Sequence, residues 1–393
     1  MKIRRAGGSD RQAVEGLWAY CFEPQGHPFF EWYFQHVCRM DEVLVGETEG
    51  QIACDLHLRP YTLSVRGRAM ASDYIVGVAT HPAARGRGLA GELLAGALRS
   101  SREAGKAVDI LMPSDASFYQ SLGFALYAHQ WRRKASPSRL AALGEKPCRA
   151  GTIERDSDWQ ALRDIYEAYT AGRTGYAVRD ASSWQRHTAG QLKEGYIAVV
   201  QDQMGSAGYL FYQIAERTLS VSEFCFRSEA GRRGLYAYMA SHLGSVDTCV
   251  WQEASDDRSY LYWADGAEHT YIQNGTLPYM MARITDPAAA FTGLPAAGNG
   301  EVVFRLSDPL LSDNEGVYTL SASGGQLRAE RTDRRTPSFS LTCGGAAQLL
   351  FGAASVRDLF RYGEAVWQEE RRGDMDFLNR VLPETRCWIN EWY

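Results

Sequence analysis

Apolar and polar positions alternate with two periods along this chain of 393 residues. Ile3 sits in a short β-like run. Ser9 and Asp10 then offer N-cap side chains ahead of Val14, Leu17 and Trp18, which share one helical face; the pattern predicts a strand followed by a helix. Residues 74–80, "YIVGVAT", form an apolar, β-branched run that reads as a strand. From about Leu89 the spacing changes to that of a helix, with Leu93, Leu94, Ala97 and Leu98 as its buried stripe and Gly105 placed to end it. Further on, "VSEFCFRSEAG" carries Glu223, Arg227 and Glu229, and so lacks a clean apolar strand pattern. Pro287, Pro295 and a Gly/Ala-rich stretch mark a boundary near residues 285–300. Beyond it, "EVVFRLSD", "GVYTLSAS", "GQLRAERT" and "SFSLTCG" alternate as strands, and "AAQLLFG" and "SVRDLFRYGEAVWQEE" read as helices. This is an α+β module of about 100 residues. The chain ends on "CWINEWY", whose aromatic content predicts a docked tail rather than a solvated one.

The pattern also repeats. "SDRQAVEGLW" at residues 9–18 is echoed by "SDWQALRDIY" at residues 157–166, an offset of 148. "RGL" at residues 87–89 returns at residues 233–235, an offset of 146. Two echoes in nearly the same register predict a duplicated domain of ordinary size. In the second copy the leading arginine is gone, and Gly231, Gly234 and Tyr236 stand where the first has Arg85, Gly88 and Ala90. The second copy is expected to be structural.

Composition narrows the function classes. Hydrophobic residues make up 45 % and charged residues 23 %, with a net charge of −5, which argues against nucleic acid as a partner. The eight cysteines are scattered, with no CxxC pair and no metal-ligand spacing, so no metal is expected and free thiols are. No run of 18 apolar residues predicts a membrane span, and the first residues have no apolar leader, so the expected setting is the cytoplasm.

The chemistry centres on "ATHPAARGRGLAGELL", residues 79–94. A strand turns through Arg85, Gly86, Arg87 and Gly88 into a helix, so the backbone N–H groups of residues 86–91 can converge on an anion such as a pyrophosphate. The spacing fits neither the nucleoside triphosphate loop nor the dinucleotide loop. Arg85, Gly88 and Ala90, in the order Arg-x-x-Gly-x-Ala, instead resemble the acetyl-CoA signature of the GNAT N-acetyltransferases. Phe118, Tyr119, Gly123 and Phe124 in "MPSDASFYQSLGFALY" resemble that family's later "FYxxxGF" segment. Taken over its whole length, the chain resembles the Eis (enhanced intracellular survival) branch, which has tandem GNAT domains and a C-terminal domain like a sterol carrier protein. "PYMMARITDPAAAF", "FRLSDPLLSDNEGVYTLS" and the ending "INEWY" carry that part of the likeness.

The resemblance implies α/β and α+β domains in order: a catalytic GNAT domain at 1–145, a degenerate one at 146–288 and a sterol-carrier-like α+β domain at 289–393. It implies that Val78, Ala79 and Thr80 line the pantetheine arm, that Arg85, Gly86, Arg87, Gly88, Leu89, Ala90 and Gly91 hold the pyrophosphate, and that Ser114 and Asp115 touch the cofactor further along. Gly86 stands where members of the branch often have another arginine. Tyr119 is implied as the proton donor to the departing thiolate. The base is implied to be the carboxylate of Tyr393, with Trp388, Ile389 and Trp392 holding it.

The acceptor wall is expected in "WAYCFEPQGHPFFEWYF", where Trp18, Phe22, Glu23, Phe30 and Glu31 suit a cationic amine, with Glu391 as a further anionic contact. The resulting reading is direct acetyl transfer from acetyl-CoA in a ternary complex, without a cysteine nucleophile, to a small amine, an aminoglycoside antibiotic above all. A homo-oligomer, hexameric in the branch, is implied alongside. The alternatives are another amine (a lysine side chain, a polyamine or a biosynthetic intermediate) and a non-catalytic lipid-binding protein.

Overall fold

The computed structural model of the chain describes residues 1–263, 272–332, 334–368 and 372–392. They form two compact units that do not follow chain order. One gathers residues 1–127 and 279–385 with Glu391 and Trp392; the other gathers residues 128–278 and 386–390.

In the first unit β1 (Lys2–Arg5), β2 (Val43–Thr48), β3 (Gln51–Val65) and β4 (Arg68–Thr80) run antiparallel. β5 (Val108–Leu111) joins β4 in parallel, after the crossover helix α3 (Leu89–Glu103), and the short helix α4 (Ala116–Gln120) follows it. Residues 281–284 then pair antiparallel with β5. Leu56, Leu58 and Ile75 on one face of the sheet pack on Leu93, Leu94 and Leu98 of α3, the expected stripe. Gly105 follows the helix at φ +76°, and its N–H reaches the Arg102 carbonyl (2.9 Å). The other face is covered by α1 (Arg11–Cys21), with Val14, Leu17 and Trp18 buried, and by Tyr33 and Phe34, which follow α2 (Pro28–Trp32) and lie against His57. Asp10 does not cap α1 with its side chain. Its carboxylate accepts from Gly7 N–H (2.7 Å) and pairs with Arg4 (2.6 Å), so a nearby guanidinium outcompetes the helix end.

The second unit repeats this plan. β6 (Ala125–Ala135) contributes its residues 130–135. Beyond it come β7 (Arg149–Ile153), β8 (Tyr196–Asp202), β9 (Gly205–Ala215), β10 (Thr218–Phe226) and β11 (Thr248–Ala254), in the spatial order β7-β8-β9-β10-β11-β6. Within this sheet β10 and β11 pair in parallel, and α5 (Glu229–Ala240) joins them as α3 joins β4 and β5. The segment that lacks a clean apolar pattern is the strand β10. Its interior charge, Glu223, is buried and paired with Arg179, which is why the polarity pattern misleads there.

The last module has a five-stranded sheet of β12 (Gly300–Ser307), β13 (Gly316–Ser323), β14 (Gln326–Arg331), β15 (Phe339–Thr342) and β16 (Ala365–Trp367). Within "SVRDLFRYGEAVWQEE" the helix stops at Arg361, and Ala365–Trp367 is a strand against Phe339–Leu341. Gly363 at φ +83° breaks the expected helical run. This module shares its unit with the first domain. The β3–β4 hairpin turns at Arg66 and Gly67, both at positive φ. The Arg66 guanidinium donates to the carbonyls of Leu349, Leu350 and Pro383 (3.0, 2.8 and 2.8 Å), covering the C-terminus of the helix Cys343–Phe351.

Candidate functional site

β4 and β5 are paired only at Tyr74–Ile110 and Ile75–Leu111; beyond these, residues 76–80 part from β5. At the same place β4 bulges. Asp55 faces Ala79 and His57 faces Val76, so Gly77 and Val78 together oppose Leu56. Gly77 takes φ +61°, a left-handed turn that glycine tolerates best. A strand that bulges away from its neighbour leaves backbone donors along a cleft, where an extended arm can be accepted. Val78 and Thr80 are partly exposed there, and Ala79 is buried.

β4 runs on past its last pair with β5 to Thr80 and into the loop. Gly86 and Gly88 take φ +73° and +77°, and a Cβ on either would meet open space, so backbone freedom rather than crowding calls for glycine. Residues 85–88 are exposed, and the N–H groups of residues 86–88 have no backbone partner among the described residues. Leu89, Ala90 and Gly91 form the first turn of α3, whose N–H groups lack intrahelical acceptors. Arg85 is fixed by Nε to the Thr80 carbonyl (3.1 Å) and touches Cys21 Sγ (3.6 Å). These residues fit a pyrophosphate: a cluster of unused donors at a helix N-terminus, with two arginines beside it.

Tyr119, on α4, is buried in the same core cluster as Leu89, against which Val78 also packs. Burial, reinforced by Asp115, pushes its phenol up to about 12, so it keeps its proton at neutral pH and is available as a donor. Asp115 caps α4 through Ser117 N–H (2.9 Å) and is held low by its bonds to Ser117; Ser114 is exposed beside it.

On the α1/α2 side Trp18 stacks on Tyr33 (4.4 Å) and donates to Glu23 (3.0 Å), while Phe22 is half-exposed next to it (4.9 Å). Phe30 faces inward against Phe34 (4.7 Å) and is 4 % exposed. Glu31 holds Gly26 N–H (2.9 Å), closing a turn. Trp18, Phe22 and Glu23 thus come together, whereas Phe30 is part of the packing behind them.

Two residues of this face were not singled out in the sequence. Asp55 and His57 flank the bulge on β3, and both are buried. His57 Nδ1 meets the Tyr33 hydroxyl (2.8 Å), while its Nε2 and Asp55 Oδ2 have no hydrogen-bond partner among the described residues. Burial raises the Asp55 carboxyl well above its ordinary range. Burial, with Arg59 nearby, lowers His57 to about 3, so the imidazole rests neutral. The signal was available as charges at every second position of "DLHLRPY", a pattern normally read as a solvated face.

The tail is docked at both described ends. Trp388 and Ile389 are buried in the second unit. In the first unit the Glu391 carboxylate accepts from the Tyr61 hydroxyl (3.0 Å), and its carbonyl accepts from Tyr279 (2.9 Å) and Tyr74 (3.3 Å). Trp392 lies against Tyr279 (4.9 Å). Tyr393 lies outside the described residues.

Comparison with known families agrees with this geometry. Residues 2–127 match an acetyltransferase (GNAT) domain, residues 175–284 match another, and residues 287–390 match a sterol carrier protein domain. The two acetyltransferase matches together cover more than half of the chain. The chain belongs to the GNAT acetyltransferases. As a GNAT protein it is an acyltransferase with an acyl-CoA cosubstrate. Its tandem arrangement is Eis-like. The fold is similar over the full length of both chains to a GCN5-related N-acetyltransferase from Anabaena variabilis (TM-score 0.85, 17 % identity). It is likewise similar over both full lengths to one from Kribbella flavida (TM-score 0.80, 22 % identity) and to Eis1 from Mycobacterium abscessus (TM-score 0.76, 18 % identity). No curated protein matches the sequence. No described helix of this GNAT chain is long and apolar enough to cross a membrane.

Proposed function

We propose that residues 1–145 transfer an acetyl group directly from acetyl-CoA to an amine of a cationic small molecule, with aminoglycosides as the preferred class. Residues 146–288 serve as a worn GNAT copy and residues 289–393 as the sterol-carrier-like domain. The observation that carries this reading is the parting of β4 from β5 at a bulge that leads straight into the exposed loop at residues 85–88. Acetyl-CoA supplies the activated thioester acetyl group.

In this reading the backbone of Val78, Ala79 and Thr80 lines the arm, and a donor at the bulge polarises the carbonyl. Arg85, Arg87 and the N–H groups of residues 86–91 bind the pyrophosphate, and Ser114 and Asp115 border it. Tyr119 offers its retained proton to the sulfur. Trp18, Phe22 and Glu23 meet the acceptor, with Phe30 and Glu31 behind them. The Tyr393 carboxylate takes the amine proton, and Glu391 adds negative charge nearby. The anchoring of Glu391 and Trp392 in the unit that contains β3 and β4 supports that placement.

A lipid-carrying role has less support. The cavity of about 530 Å³ beside the last module is bordered by Asp308, Glu315 and Glu364, which do not suit an apolar chain.

Thiol release from acetyl-CoA across a panel of aminoglycosides, polyamines, lysine peptides and neutral amines tests the reading. Turnover confined to peptides or polyamines rejects the aminoglycoside preference, and none with any amine rejects catalysis. Extending the chain past Tyr393 is expected to abolish turnover while acetyl-CoA still binds. The hexamer implied by the resemblance is read by analytical ultracentrifugation, and the cytoplasmic setting by cell fractionation.

A further inference from the structure

The second GNAT domain has lost the anion loop but kept the bulge. Helix α5 begins three residues after β10, with Ser228 as its cap, so Gly231 and Gly234 lie inside the helix. A Cβ at Gly231 would stand 2.2 Å from the Ala207 carbonyl, so the glycine now serves close packing. In the β9–β10 ladder Phe211 faces Glu223 and Tyr212 faces Val221, which leaves Ser222 as the extra residue. Glu223 stands 146 residues after Gly77, the offset that relates the two "RGL" segments. The pseudo-active site of this domain is therefore the surface around Ser222 and Glu223.

That surface is filled by the chain's own end. Asn390 Nδ2 donates to the Ser222 carbonyl (3.0 Å) and to Glu223 Oε2 (2.9 Å). The Asn390 carbonyl accepts from Arg179 (3.0 Å), whose fork also grips both oxygens of Glu223 (2.8 and 2.7 Å). Gln130 donates to the Ile389 carbonyl (2.7 Å). The Trp388 ring lies against Tyr166 (5.6 Å) and Tyr169 (5.2 Å), and the Trp388 backbone N–H reaches the Thr174 carbonyl (3.0 Å). Tyr166 is the residue 148 positions after Trp18. Arg386 and Cys387 add a short parallel ladder on Arg173 and Thr174.

We propose that the bulge of the second GNAT domain is a peptide-binding site whose ligand is the chain's own segment 386–390, with Glu223 as the positioning residue that fixes where residues 391–393 begin. Glu391 follows Asn390 directly in the chain, so holding Asn390 sets where the last three residues begin. Burial alone would neutralise Glu223. The Arg179 guanidinium overrides it and holds the carboxyl well below its ordinary range, so the grip stays ionic. The catalytic consequence rests on the Tyr393 reading above; the binding site does not.

The test is hydrogen exchange and steady-state turnover on the full chain with Glu223→Gln and Asn390→Leu. Exchange of residues 386–390 is expected to quicken at least tenfold in both variants, with β8 and β9 still protected. kcat is expected to fall at least tenfold with acetyl-CoA affinity unchanged, and Glu223→Asp to recover part of both losses. Unchanged exchange in both variants overturns the proposal. Faster exchange with full turnover keeps the peptide site and rejects Glu223 as the positioning residue. If Glu223→Gln fails to fold, Asn390→Leu decides alone, because its side chain is on the tail.

Discussion

The indole of Trp18 covers the backbone of Gly77 so closely that a Cβ there would stand 2.5 Å from the ring. One helix side chain thus presses on the residue that makes the bulge, and in the proposed reading this couples the shape of the acyl cleft to the acceptor wall. Gly77→Ala would add both that clash and the strain of φ +61°. It is expected to cost about 1–3 kcal/mol, or roughly 2–8 °C in Tm, and to reduce kcat at least tenfold. Thermal melts and thiol release check both. Retention of wild-type values would show that the ring can step aside.

Gly88→Ala separates loop conformation from crowding. Space around it is open, so only the left-handed φ resists, at about 1 kcal/mol. Relaxing the loop to avoid that strain is expected to misalign the N–H groups. Calorimetric titration with acetyl-CoA should give an affinity about tenfold weaker, with Tm lower by only a few degrees.

Tyr119→Phe removes the donor while keeping the ring that packs on Phe118 and Phe124. kcat should fall about a hundredfold, with acetyl-CoA affinity within twofold of wild type. Because the phenol is pushed up to about 12, no loss of turnover between pH 7 and 10 should trace to its ionisation. The wild-type protein and the Tyr119→Phe variant should therefore keep a constant ratio of rates over that range.

His57 makes stability depend on acid. Its native value near 3 lies below its unfolded value near 6.5, so the unfolded chain binds more protons between them. The stability that neutral His57 contributes is present above about pH 6.5 and is lost as pH falls towards 3. His57→Gln loses the Tyr33 bond, about 1 kcal/mol, and should melt lower at pH 7.5. It should lose less on going to pH 4, so the two Tm curves converge. Parallel curves would mean that His57 does not remain neutral in the native state.

Much of the first domain was legible in the chain because its signals are local. The Arg85–Ala90 spacing, the stripe of α3 and the Gly105 cap each lie within a few residues of what they specify. Asp55 and His57 were not legible, because alternation reports which residues share a face and not whether that face is covered. Here α1, Tyr33 and Phe34 cover it, and polar positions that read as solvated are buried. The strand Ala365–Trp367 was hidden for a similar reason: its partner is β15, far back in sequence, and only Gly363 hints at the break. Glu223 looked like damage to a strand because the arginine that neutralises it comes from 44 residues earlier.

The reach of Arg66 bears on how this architecture can be rearranged. The guanidinium that closes the helix Cys343–Phe351 comes from a hairpin nearly 300 residues upstream. A sterol-carrier module cut out at residue 287 would leave behind the cap of its own helix. The unit of exchange between such proteins is therefore larger than the sequence module, and a graft onto another acyltransferase must bring a compatible β3–β4 hairpin or supply another cation at that helix end.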